Sequence, residues 1–378
     1  MSVAINGFCD EKFANVREMF ASNIEEGRDL GASFALTLEG EMVIDIWGGH
    51  LDEEKTKPWR EDTIVNVYST TKTMSFLCAL VLADRGKLDF DANVAEYWPE
   101  FAAAGKENVK VWHVMDHAAG LSGLDVKVEP RDLYDWDKIV NLLAEQAPWW
   151  EPGTASGYHA LTQGFLIGEI VKRVSGVSIG TFFQNEIAGP LQADFYIGVP
   201  ESEFSRIGNL FPAGEGRLHT SDDPDSIAAR TFRNPASPAT NSWTDEWRKA
   251  EIPAANGHGN ARSVARLQAP LACKGSAFGV DLFSQTTAES VMKERISGMD
   301  LALGVPIGFG LGFGLNSELM PLSPNDNACY WGGWGGSSIL VDQDARLSVS
   351  FVMNRMFEGL MGDTRSYNLV QAVYKSME

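Results

Sequence analysis

Two stretches at opposite ends of the chain constrain its fold most. "ASFALTLEGEMVIDIWGG", residues 32–49, sets two strand-like runs either side of Glu39-Gly40, the pattern of a hairpin around a Gly-containing turn. "SSILVDQDARLSVSFVMN", residues 337–354, repeats it around Asp342 to Ala345. The patterns between them are mostly helical, as in Trp136 to Gln146 and Leu161 to Gly176, with Pro- and Gly-rich loops expected at 147–157 and 233–259. Phe13, Val16, Phe20 and Ile24 recur every three or four residues before Gly27, an amphipathic helix with a glycine past its end. Residues 364–376 read as a closing helix.

Strands at both ends around a helical middle predict an α/β fold of the α+β kind. Residues 1–85 and 290–378 are expected to form one antiparallel sheet flanked by helices, and residues 86–289 an inserted, mainly helical domain. The cleft between the two is the expected ligand site.

A chain of 378 residues with 44% hydrophobic content can fill such cores. Its 31 basic and 51 acidic residues give a formal charge of -20, which repels nucleic acid and anionic membrane surfaces. The first twenty residues lack a basic region followed by an apolar core, and no later run gives about 18 apolar residues, so a soluble, cytoplasmic protein is expected. Cys9, Cys78, Cys273 and Cys329 form no C-x-x-C pair; reduced, mostly buried thiols are expected, with neither a metal nor a cofactor.

Ser69 and Lys72 stand three residues apart in "YSTTKTMSFLCALVLADRG", at a strand-to-helix transition. On one helix face, near unpaired N–H groups and the positive end of the dipole, they form a candidate nucleophile and base. The alternative is a helix-capping serine and a solvated lysine. A second S-x-x-K, Ser290 and Lys293, lies within a charged helix-like run and lacks that setting. Tyr158, in a Gly-rich turn, is either a packing residue or, beside a lysine, a phenol whose ionisation is drawn toward neutral pH. "YWGGWGGSSIL" (330–340) leads into a strand; its glycines allow either tight packing or close approach of an acyl group, with the N–H groups of Ser69 and Trp334 as an oxyanion hole.

Taken in order, "LGASFALTLEGEMVIDIWGG", "WREDTIVNVYSTTK", "VWHVMDHAAGLSGL", "YHALTQGFLIGEIV", "PLQADFYIGVP" and "WGGWGGSS" resemble the class C β-lactamase and penicillin-binding-protein superfamily of serine hydrolases, most closely the family VIII carboxylesterases. The resemblance implies Ser69 as the acylated nucleophile, Lys72 as its base partner and Tyr158 as the proton relay, with Trp331, Gly332 and Gly333 in the place of Lys-Thr-Gly. Two positions depart from the lactamase pattern: Tyr158-His159-Ala160 stands for Tyr-x-Asn, and Trp331 for the cationic lysine. Both favour a small ester as substrate. Trp331, Trp334 and Trp149 or Trp150 are expected to supply an apolar wall, with Gly332, Gly333 and His159 also at the substrate. The same site could serve a β-lactamase, or a D-amino peptidase or amidase; a catalytically silent binding protein is the remaining alternative.

Three other patterns are read as decoys. Gly176-Val177-Ser178-Ile179-Gly180 matches G-x-S-x-G but follows a helix pattern instead of a strand. "GFGLGFGL" (308–315) lacks a following helix or G-K-[ST], and is expected to be a closely packed strand. His117 is expected to support the loop "DHAAGLSGL" and is not needed as a base.

Overall fold

The computed structural model describes residues 3–214 and 221–378. Nine strands form one antiparallel sheet: β1 (Ile5–Cys9), β2 (Gly31–Leu38), β3 (Glu41–Gly49), β4 (Ile296–Met299), β5 (Pro306–Gly310), β6 (Phe313–Leu315), β7 (Ala328–Gly332), β8 (Ser338–Asp342) and β9 (Leu347–Met353). Their spatial order is β1-β3-β2-β9-β8-β7-β6-β5-β4. The two chain ends meet where β2 pairs with β9, from Ala32 opposite Met353 to Leu38 opposite Leu347. Both strands are buried along almost their whole length, as in a sheet covered on both faces.

The two expected hairpins form where Glu39 and Gly40, at φ 53 and 82, make the left-handed turn that a two-residue hairpin needs, and where β8 turns into β9. The stretch 308–315 differs from expectation. Leu311 and Gly312 also take positive φ, 45 and 98, so the glycine-rich run is a hairpin of β5 and β6 instead of one strand.

Six helices matter for the site: α1 (Ala14–Glu25), α2 (Lys72–Asp84), α3 (Trp136–Glu145), α4 (Thr162–Ser175), α5 (Ala261–Ala272) and α6 (Thr364–Met377). Helix α1 buries Val16, Phe20 and Ile24, and packs with α6 and strands β2 and β3. Helix α2 is buried all round from Lys72 to Leu82, the mark of a helix inside a core, and lies against α4. Gly176, at φ 83, ends α4 in the expected left-handed cap. The loop expected at 233–259 contains two short helical turns, Ala239–Trp243 and Asp245–Lys249; the second is nucleated by Thr244, whose hydroxyl accepts from Trp247 N–H.

We propose the same division, a sheet domain and an 86–289 insert, with one exception. Helix α5 comes from within 86–289 yet packs on β2, β8 and β9. Ala261 N–H donates to Ser33 Oγ and Ser348 Oγ to the Ala265 carbonyl, so these bonds and its apolar stripe tie it to the sheet. Among the described residues no helix is long and apolar enough to cross a membrane. No group of three metal-ligating side chains forms among them. All four cysteines are free, and three of them are buried.

Candidate active site

The short strand Ile64–Asn66 runs into a 3-10 turn, Tyr68–Thr71, which continues as α2. Tyr68 makes the bend at φ 43, a conformation that a bulky residue holds only when its surroundings fix it. They do: its hydroxyl donates to the Ala239 carbonyl at 3.0 Å, and its ring lies between Trp247 and Trp334. The bend brings Ser69 out at the start of α2.

Ser69 caps nothing. Lys72 Nζ lies 3.2 Å from Ser69 Oγ, and Tyr158 OH lies 2.5 Å from it. Lys72 is 1% exposed, makes no ion pair among the described residues, and donates to the carbonyls of Ala160 at 2.7 Å and Ala254 at 2.9 Å. Burial holds its pKa well below the usual lysine range. With two N–H groups given to the two carbonyls, the third position of Nζ faces Ser69 Oγ, where an ammonium donates and a neutral amine, the form that burial favours, can accept. Close packing places the Ala254 carbonyl. A Cβ at Gly164 of α4 would stand 2.3 Å from Ala254 N, and Ser75 Oγ donates to the neighbouring Pro253 carbonyl.

Of the readings of Tyr158, the ionised phenol is disfavoured. Burial raises its pKa above the ordinary tyrosine value, assisted by the charge of Asp300. The ammonium that was to favour a phenolate is itself disfavoured by burial, and the Tyr158 hydroxyl donates to Ser69 Oγ.

His159, expected at the substrate, is fully buried. One ring nitrogen, Nε2, accepts from Leu121 N–H, and Nδ1 lies 2.6 Å from the Gly157 carbonyl, so neither is free for a ligand or a proton. Trp331 is likewise 1% exposed. Its ring stacks on His117 and packs beside Tyr158 and Phe309, behind the site instead of lining it. Trp150 props the loop before Tyr158, donating to the Ala155 carbonyl and covering Gly157. Trp149 holds Arg230 over its ring.

The two glycines of 332–333 serve backbone packing, not open space for substrate. A Cβ at Gly332 would stand 2.3 Å from the Met361 carbonyl carbon; one at Gly333 would stand 2.1 Å from the Val67 carbonyl oxygen and 3.2 Å from Ser69 N. Ser337 Oγ donates to that same Val67 carbonyl at 2.7 Å and bonds Thr70 Oγ1. The 333–337 loop is therefore lashed to the turn that carries Ser69. Among the described residues the N–H groups of Ser69 and Trp334 meet no acceptor.

Sequence reasoning missed the carbonyls of Ala160 and Ala254, because a backbone ligand leaves no side-chain signal. It also missed Tyr68 and Phe232, whose ring centroid lies 6.3 Å from that of Tyr158. The decoys stand apart. Ser178 caps the helix Ile179–Phe183 and donates to Glu251, while Ser290 donates to its own helix at Thr287.

A buried Ser–Lys–Tyr cluster at the head of a core helix, beside an antiparallel sheet, defines a serine hydrolase. The chain belongs to the beta-lactamase family, whose model matches residues 16–374. It is 32% identical over 380 residues to the esterase/beta-lactamase LipL of Mycobacterium tuberculosis, spanning 94% of this chain and 84% of that protein. A solved family VIII carboxylesterase is 41% identical with a TM-score of 0.93, over 99% of this chain and 100% of that one. A penicillin-binding protein homolog from Caulobacter crescentus is 39% identical with a TM-score of 0.93, over the same shares.

Proposed function

We propose that the protein is a serine carboxylesterase that hydrolyses small or short-chain esters through an acyl-enzyme on Ser69, needing no metal or cofactor. The observation that carries this reading is Ser69 Oγ between a desolvated Lys72 and a neutral Tyr158, at 3.2 and 2.5 Å. Neutral Lys72 takes the Ser69 proton as Oγ bonds to the ester carbonyl carbon. The N–H groups of Ser69 and Trp334 receive the oxyanion. As the C–O bond breaks, Tyr158 O–H protonates the departing alkoxide and is reprotonated from the Lys72 ammonium. Water then repeats the sequence on the acyl-enzyme, releasing the acid and restoring Ser69.

Ester is favoured over lactam by two positions. Ala160 offers only its carbonyl, already engaged by Lys72, and the indole of Trp331 is buried without an acceptor for its N–H. Neither can hold the amide side chain or carboxylate of a β-lactam, whereas Tyr68, Trp334 and Phe232 suit an uncharged chain. The similarity to a solved carboxylesterase points the same way, and a cytoplasmic location belongs to the same proposal. Incubation with a fluorophosphonate should add its mass to the Ser69 peptide. Ser69→Ala should lower hydrolysis of p-nitrophenyl acetate by about 1,000-fold or more. Label on another serine, full activity of the variant, or faster turnover of nitrocefin than of the ester would each defeat the reading.

A further inference from the structure

Tyr158 is held through the backbone on both sides of it, and the holder is a single residue. Gly157 N–H donates to the His117 carbonyl at 2.9 Å, and His159 N–H donates to His117 Nδ1 at 2.9 Å. Between them, Tyr158 N–H donates to Asp300 Oδ1 at 3.0 Å. Three successive N–H groups thus reach two side chains and one carbonyl from outside the loop.

His117 is built for this grip. It is fully buried and takes φ 58, which lets its carbonyl and its ring face the same loop. Because Nδ1 accepts, it carries no proton, and the ring is the neutral Nε2–H tautomer. Burial keeps the ring neutral. The ring stacks on Trp331 at 5.7 Å, meets Phe309 at 5.2 Å and presents an edge to Tyr158 at 5.0 Å. It therefore refers the position of Tyr158 to strands β5 and β7.

We infer that His117 is a positioning residue for the reaction: it touches no reacting atom, and sets the Tyr158 hydroxyl on Ser69 by bonding the residues before and after it. This rests on Tyr158 acting as the proton donor. The physical reason is tolerance, since a displacement of about 1 Å in a reacting group can cost on the order of 100-fold in rate.

The test is a double-mutant cycle with acceptor rescue. His117→Asn places Oδ1 close to where Nδ1 stands and tolerates positive φ; His117→Leu has the same branching without an acceptor. Each is made with Tyr158 intact and with Tyr158→Phe, and kcat and KM are measured on p-nitrophenyl acetate. With Tyr158 intact, His117→Asn should stay within about tenfold of the parent kcat, while His117→Leu should lose about 100-fold with KM changed less than about threefold. In the Tyr158→Phe background His117→Leu should lower kcat by less than about threefold, since residues acting as a unit are non-additive. Equal losses in both backgrounds, or a loss carried by KM, would overturn the inference. Full activity of Tyr158→Phe alone would instead overturn the proton-donor reading. If His117→Leu does not fold, His117→Gln replaces it, because its Oε1 reaches the Nε2 position and not Nδ1. Activity of His117→Gln equal to that of His117→Asn would then reject the grip.

Discussion

At the scale of single residues, the function turns on two protonation states, and burial sets both. Lys72 ordinarily titrates near pH 10.4; in the fold its pKa is well below that, so the neutral base is present above the depressed value and lost as pH falls through it. Tyr158 moves the other way and stays protonated beyond the usual tyrosine range. For an uncharged ester, kcat/KM should fall on the acid side through one limb and show no alkaline limb below about pH 10. Lys72→Arg, always protonated, should lose on the order of 1,000-fold or more across the range. An alkaline limb near pH 8 would mean that a proton the reaction needs is lost there, against the raised Tyr158 pKa. The three side chains were legible in the sequence because their order and spacing carry the resemblance. Their charge states were not, since these depend on Ala160, Ala254 and a dry interior brought together from segments far apart in the chain.

At the scale of elements, the site depends on how closely a strand end can approach a helical turn. The sequence announced this approach at Trp331 to Ser337 through its glycines, but two adjacent glycines could not reveal which neighbour each one faces. Gly333 faces the Val67 carbonyl and Ser69, and Gly332 faces Met361. Gly333→Ala sets a methyl 2.1 Å from a backbone oxygen that cannot turn aside, so the 333–337 loop must shift relative to Ser69. Overpacking of this kind costs about 1–3 kcal/mol. Moving the Trp334 N–H should lower kcat by about 100-fold. Gly332→Ala, which pushes on residues 361–362, should lose comparable stability while keeping kcat within about tenfold. The comparison needs denaturant unfolding and steady-state kinetics on both variants. An unimpaired kcat in Gly333→Ala would remove Trp334 from the proposed oxyanion hole.

At the scale of the molecule, the chain ends and the helical middle are coupled through buried groups near the site. Tyr158 bonds Asp300, Ser156 accepts from Leu301 N–H, and Asp116 Oδ1 accepts from Gly312 N–H in the β5–β6 turn at 2.5 Å. The sequence made both partners visible, in "VMDHAAGLSGL" and "GFGLGFGL", without showing that they meet, because a contact across 196 residues leaves no local pattern. Asp116 is fully buried and its Oδ2 has no partner among the described residues. Burial pushes its pKa up to about 7, against the opposing Gly312 hydrogen bond and the Arg295 charge. The folded state therefore holds a proton that the unfolded chain releases near pH 4. Stability falls as pH rises between these values, by on the order of 4 kcal/mol at about 1.4 kcal/mol per pH unit, and then levels off. Asp116→Asn keeps an acceptor for Gly312 and cannot ionise, although its amide adds a pH-independent cost at the Oδ2 position. Urea unfolding of both proteins from pH 4.5 to 8 should thus give a stability difference that shifts steadily in favour of the variant, by a few kcal/mol in total. A difference that stays constant with pH would mean that Asp116 is ionised throughout, and that this join carries a buried charge instead of a proton.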